Sequence, residues 1–145
     1  MKYVLNFVFS KDRNYVLMIL KNRPSFLANL YNVVGGKIEN KEERVLDAAA
    51  RETLEESNVN TNPSYFGSVF GDGYSIELCR SFTDKIFTAK TMEDEPIEVL
   101  HIDNIRQLHK NGKLAPNTML HIENALLIES EEFINIYQKS SFGVT

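Results

Sequence analysis

Apolar positions fall in short alternating or continuous blocks along the first 40 residues and switch to a helical spacing after residue 41. Residues 3–10 and 15–21 read as two β-strands, joined by the polar hairpin turn 11–14. Pro24 breaks the stretch 22–32 into a loop. A short strand over 33–38 carries a Gly35-Gly36 turn, and a helix is predicted over 41–57. Two further strands, 65–70 and 74–87, flank the turn Gly71-Asp72-Gly73. A strand over 96–102 leads into a short helix to residue 109, with Asp103 as its N-cap. A second helix is predicted from Pro116 to Ile128, with proline early in the first turn. A final amphipathic helix begins at Ser130 and places Phe133, Ile136 and Tyr137 on one side. Strands and helices intermix without βαβ regularity. The fold class implied is α+β, a mixed sheet sandwiched by helices.

The helix over 41–57 carries the strongest chemical signal. Glu52, Glu55 and Glu56 stand at i, i+3 and i+4, within one sector of its circumference. Carboxylates held that close repel one another unless a positive group lies between them, and a hard divalent cation is the usual one. Leu46, Ala50, Thr53 and Leu54 lie around the helix from this sector and suit a core-facing side. Ala48 and Ala49 flank the acidic sector with small side chains, leaving room for a bulky ligand. A bare E-x-x-E-E on a helix is more often a solvated face, with Arg51–Glu55 as a weak i,i+4 pair. The preceding Gly35-Gly36, at a fixed distance, shifts the balance toward a site.

Gly36, Glu43, Arg51-Glu52, Glu55-Glu56 and Val59 together resemble the Nudix box, G-x5-E-x7-R-E-U-x-E-E-x-G-U, and the flanking words are similar to the MutT-like branch. The box spans residues 36–59. Two departures stand out. Six residues separate Gly36 from Glu43 where the pattern has five; alternatively Glu42 is the box glutamate, and eight residues then separate it from Arg51 where the pattern has seven. Asn58 occupies the position of the second glycine, and asparagine tolerates the left-handed backbone better than most residues.

The resemblance implies a Nudix-type α/β/α sandwich over a single domain, residues 1–145. It implies hydrolysis of a nucleoside diphosphate linked to another group, with Mg2+ as cofactor and Mn2+ as an alternative ion. Glu52 and Glu56 are implied as metal ligands, with Glu55 in the same cluster and a carbonyl of Gly35 or Gly36 completing the shell. Arg51 and the box glutamate take orienting roles. The family also draws an acid from a loop outside the box. Glu95 is the first choice and Glu93 the second, as ligand or general base; a solvated acidic loop is the competing reading. Lys21, Arg23 and Lys37 are candidate substrate contacts. Asn117 matches the segment where MutT-like enzymes place an asparagine against a purine, although it also suits a helix start. Tyr31, Phe26 and Phe82 are candidate stacking residues, with core packing the commoner fate of each. The implied reaction cuts a nucleoside triphosphate, purine or oxidised purine preferred, to monophosphate and pyrophosphate. The alternatives are hydrolysis of ADP-ribose or a similar compound, a nucleotide-sensing binding module, and a structural domain with an acidic helix.

Composition narrows the classes further. With 145 residues, 43% of them hydrophobic, and nine Phe and six Tyr, the chain can bury one core. A net charge of −4 gives no basic footprint for a nucleic-acid duplex. A single cysteine, Cys79, excludes an internal disulfide and reads as a small buried hydrophobe. No signal peptide or membrane span is evident, because the apolar run 3–9 is short and interrupted by Asn6. The expected compartment is the cytoplasm and the expected partner a small nucleotide, with homodimerisation open. His101, His109 and His121 lack zinc-ligand spacing. The polar tail 139–145 carries no functional signal.

Overall fold

The structure, a computed structural model, describes residues 1–128 and 134–137. Its strands are Lys2–Phe9 (β1), Tyr15–Leu20 (β2), Tyr31–Lys37 (β3), Ser64–Gly71 (β4), Tyr74–Phe82 (β5), Ile97–His101 (β6) and Ile134–Tyr137 (β7). Its helices are Val45–Ser57 (α1), Ile102–Lys110 (α2) and Thr118–Leu127 (α3). The strands form one mixed sheet in the order β6-β2-β3-β1-β5-β4-β7. The pairs β1–β5 and β4–β7 are parallel and the other neighbours antiparallel.

Helices cover both faces of this sheet, because the central strand is apolar on both. From β1, Phe7 and Phe9 pack with Ile105 of α2 and Met119 and Ile122 of α3. Val4, on the opposite face of the same strand, packs with Cys79 of β5 and with Ala48 and Ala49 of α1. Each fully buried side chain of the size of Phe7 contributes about 2–3 kcal/mol of transfer free energy.

Several boundaries differ from expectation for identifiable reasons. The hairpin predicted at 11–14 closes only at Phe9 and Val16, because β3 wedges between β1 and β2 over the rest of their length. Gly35 and Gly36 lie in β3 opposite Leu5 and Val4, so they form no turn. A Cβ on Gly35 would meet the Val4 carbonyl oxygen at 2.1 Å; glycine serves close approach here rather than chain reversal. Helix α1 starts at Val45 rather than 41. Asn40 accepts from the Glu42 N–H through its side chain (2.9 Å) and from the Glu43 N–H through its carbonyl (3.0 Å), which favours a turn over helix. The strand expected over 74–87 ends at Phe82, after which the Thr83 side chain caps a 3-10 segment, Asp84–Thr88. The N-cap of α2 is His101, whose Nδ1 accepts from the Asp103 N–H.

Residues 134–137 form a strand, not a helix. Isoleucine alternates with polar and aromatic residues at a period of two, and the open edge of β4 offers a parallel ladder from Gly67–Ile134 to Phe70–Tyr137. The start of the expected final helix at Ser130, its Phe133, and the tail 139–145 lie outside the described residues. Asn58 meets its expectation: it ends α1 in the left-handed conformation, φ 61°, and its N–H bonds the Leu54 carbonyl.

Candidate active site

Helix α1 lies against β3 at Gly35 and Gly36. Its buried stripe is Ala48, Ala49, Thr53, Glu56 and Ser57, which departs from the expected arrangement. Ala48 and Ala49 are fully buried and leave no space for a ligand, whereas Leu54 is 41% exposed. Small alanines let the helix approach the sheet closely. Glu52 and Glu56 continue that stripe at i+4 and i+8 from Ala48, so the same approach carries both carboxylates inward. Gly36 makes the fit: a Cβ there would lie 2.6 Å from Glu52 Cδ. From below, Asn6 anchors the helix, donating to Thr53 Oγ1 (2.9 Å) and accepting from Ser81 Oγ (3.1 Å). This polar interruption of the first strand is a positioning residue that sequence reasoning passed over; its position inside an apolar run was the available signal.

The three carboxylates of the helix differ in role. Arg51 is the cation among them, which the sequence reading assigned only an orienting part. Its Nε and Nη2 grip Glu43 as a fork at 2.7 and 2.9 Å, and its Nη1 reaches Glu52 (3.0 Å) and Glu55 (3.2 Å). The fork holds the Glu43 carboxyl below its ordinary range and raises the guanidinium further. Glu43 rather than Glu42 is thus the partner of Arg51. Glu55 stands half exposed at the rim. Glu52 is raised, mainly by burial and against the pull of Arg51.

Glu56 is the most buried of the set, 8% exposed, and among the described residues accepts only from the Gly35 N–H, at 2.9 Å. Burial pushes its carboxyl up to about 8, with that hydrogen bond opposing and the Glu52 charge reinforcing the rise. Among the described residues no three of His, Cys, Asp and Glu converge as a ready-made cage, consistent with Arg51 holding the outer carboxylates. Glu52, Glu56 and the Gly35–Gly36 backbone still supply an all-oxygen donor set suited to a hard cation.

These residues line one open cavity of about 1180 Å3, which also takes in Lys21, Arg23, Lys37, Glu93 and Glu95. Glu95 is 5% exposed and its two oxygens are engaged. One receives Lys21 Nζ at 2.8 Å and the other the Asn22 N–H at 2.7 Å. Burial raises its carboxyl, but these donors outweigh burial and hold it below its ordinary range. Arg23 pairs with Asp94 at 2.6 Å on the surface. Glu93 faces the same cavity and acts electrostatically on Glu52 and Glu56. Lys37 lines the cavity at the end of β3.

A second, narrower cavity of about 150 Å3 adjoins the first and shares Lys21, Gly35, Gly36, Lys37 and Glu56 with it. Tyr3, Leu5, Leu27 and Val33 make it apolar, and Asn32 supplies amide chemistry. The sequence places Asn32 at the end of a loop, whereas pairing with β2 puts it in β3. Asn117, the expected purine contact, lines neither cavity; it is the N-cap of α3, with φ 64° and no side-chain capping hydrogen bond among the described residues. Of the candidate stacking residues, Tyr31 donates to Glu98, Phe82 stacks on Phe9, and Phe26 is 43% exposed.

A fold with one helix holding an acid cluster against a glycine-bearing strand, and a complete R-E-x-x-E-E set, defines a class. The NUDIX domain family model matches residues 2–115. The chain belongs to the Nudix hydrolase family. No curated protein matches it at the sequence level. Solved structures share its fold. The NUDIX domain of Shewanella oneidensis NrtR, complexed with ADP ribose, superposes with a TM-score of 0.73 at 16% identity, covering 87% of this chain and 86% of that one. The mutator MutT protein of Bacillus halodurans gives 0.67 at 16% identity, over 95% and 90%. A NUDIX hydrolase of Nitrosomonas europaea gives 0.72 at 16% identity, over 95% and 79%.

Proposed function

We propose that the chain is a divalent-metal-dependent hydrolase of nucleoside triphosphates, purine nucleotides preferred, releasing the monophosphate and pyrophosphate. The observation that carries this reading is the meeting of Glu52 and Glu56 with Gly35–Gly36 in one cavity, where Gly36 lacks the side chain that would fill the gap. Glu52 and Glu56 would hold the ion, Mg2+ or alternatively Mn2+, with Glu55 at the rim. When bound, the ion neutralises phosphate oxygens and lowers the pKa of a bound water. Arg51 positions Glu52 and Glu55 through the Glu43 fork. Because Lys21 and the Asn22 N–H occupy Glu95, Glu93 suits the base better and Glu95 suits positioning of Lys21. Glu93 takes the proton of the attacking water and later returns it to solvent. The water oxygen bonds to one phosphorus as the bridging P–O bond to its neighbour breaks, and the departing fragment, monophosphate or pyrophosphate, carries away the electron pair.

The size of the cavity supports a second reading, hydrolysis of ADP-ribose or a similar compound, since it exceeds the range of most small-ligand pockets. The NrtR domain that shares this fold was complexed with ADP ribose. A non-catalytic sensor is the third reading; retention of Glu52, Glu55 and Glu56 argues for catalysis. The test is phosphate release from a panel of canonical and oxidised dNTPs, NTPs, ADP-ribose, NADH and dinucleoside polyphosphates with Mg2+, beside Glu56→Gln. Phosphate from dNTPs seen only when inorganic pyrophosphatase is added supports the triphosphate reading. Silence across the panel, with the variant indistinguishable from wild type, refutes catalysis.

A further inference from the structure

The cavity poses an electrostatic problem for an anionic substrate. Ten carboxylate side chains and four cations line it. Three of those cations are already committed: Lys21 to Glu95, Arg23 to Asp94, and Arg51 to Glu43, Glu52 and Glu55. Lys37 alone has no carboxylate within ion-pair distance among the described residues. A bound metal ion offsets only part of the remaining negative charge. Phosphoryl groups extending beyond the scissile bond need cations from elsewhere.

They are available next door. A separate cavity of about 450 Å3 shares Lys37 and Glu39 with the acidic one and is otherwise walled by Lys2, Lys41, Ile38, Ser75 and Met1. Register explains the cluster. The Ile38 N–H bonds the Lys2 carbonyl at 2.9 Å, which brings the end of β3 beside the start of β1. Lys2 lies opposite Ser75 of β5 in the parallel ladder. Lys41 enters from the loop that precedes α1. All three lysines are exposed, and among the described residues none is paired with a carboxylate.

We infer that the Lys2–Lys37–Lys41 cavity is an anion subsite that receives the terminal phosphoryl groups of the substrate and, after cleavage, inorganic pyrophosphate. It rests on the triphosphate reading for its place in the reaction, but the binding itself does not require turnover. The subsite favours substrates with two or more phosphoryl groups on the leaving side over those carrying a neutral sugar there. Glu39 stands at the junction, and its charge limits how tightly the product is held.

The test is calorimetric titration of the full chain with inorganic pyrophosphate in EDTA, so that lysines and not metal report. Lys2→Ala/Lys41→Ala is compared with Lys110→Ala/Lys113→Ala, which removes the same net charge from another part of the surface. The first double variant is expected to weaken pyrophosphate binding roughly tenfold, and the second less than twofold. Glu39→Gln is expected to tighten it. With a cleaved triphosphate, the first variant raises KM and leaves kcat within about twofold. Equal losses in both double variants would mean bulk charge alone and would overturn the subsite, as would unchanged binding or no pyrophosphate binding by the wild type. If nothing in the nucleotide panel is cleaved yet the lysine-specific loss is seen, the subsite stands and only the hydrolase reading falls.

Discussion

Replacing Glu56 by glutamine separates the electrostatic cost of the site from its chemistry. The glutamine oxygen still accepts from the Gly35 N–H, and its amide stands where the proton of a neutral carboxyl would be. Burial moves this carboxyl from 4.5 to about 8. A raised carboxyl pKa means that the folded state holds the proton more tightly than the unfolded chain. Stability contributed by the neutral form is therefore complete below pH 4.5 and is lost as pH rises through 8. At ~1.4 kcal/mol per pH unit, burial of this carboxyl costs the metal-free fold nothing near pH 4, about 2 kcal/mol at pH 6, where only the unfolded chain ionises, and up to about 5 kcal/mol at pH 8.5. Glu56→Gln removes that cost. In EDTA at pH 8.5 the variant is expected to melt ~10 °C above wild type, with the difference vanishing near pH 4. Magnesium should narrow or reverse the order. Wild type gains about 2.7 kcal/mol at a hundredfold excess over Kd, whereas the variant has lost a ligand and gains little. The assay is thermal unfolding by circular dichroism at pH 4, 6 and 8.5, with and without Mg2+. A variant less stable than wild type in EDTA at pH 8.5, or a difference independent of pH, would show that Glu56 is not held neutral by burial.

Gly36→Ala drives a methyl into the Glu52 carboxylate; kcat is expected to fall on the order of 100-fold while the melting temperature moves by only a few degrees, measured by steady-state kinetics beside thermal unfolding. Glu95→Gln takes the charge away from Lys21 and weakens the acceptor of the Asn22 N–H; a KM increase of about tenfold with a smaller change in kcat would mark Glu95 as a positioning group, whereas loss of kcat alone would make it the base. His121 is 5% exposed, its Nδ1 has no hydrogen-bond partner among the described residues, and burial lowers its pKa to about 4. A depressed histidine pKa costs stability as pH falls from 6.5 to 4, so wild type is expected to lose about 2 kcal/mol more than His121→Leu between pH 7 and pH 5, read from urea unfolding.

Local periodicity made the acid cluster legible. A helix of 3.6 residues per turn brings Glu52, Glu55 and Glu56 into one sector whatever the rest of the chain does. The interval from Glu43 to Arg51 joins a loop to that helix, and asparagine at 58 satisfies the left-handed cap. The strands of the core were also visible, because alternation is a property of the strand itself.

Other features depend on contacts distant in sequence. Gly35 and Gly36 read as a turn because glycine usually marks one, but pairing with β1 straightens them into a strand. Which carboxylate is desolvated and which is solvated depends on how closely Ala48 and Ala49 let α1 approach the sheet. Glu95 looked like a free acid until folding set Lys21, 74 residues away, against it. Residues 134–137 became a strand because β4 had an open edge to complete. The sequence by itself determined the composition of the site and the angular placement of its acids along one helix. Only the tertiary structure decided which charges are buried, paired or open to a ligand, since desolvation and ion pairing are set by neighbours that the local chain does not contain.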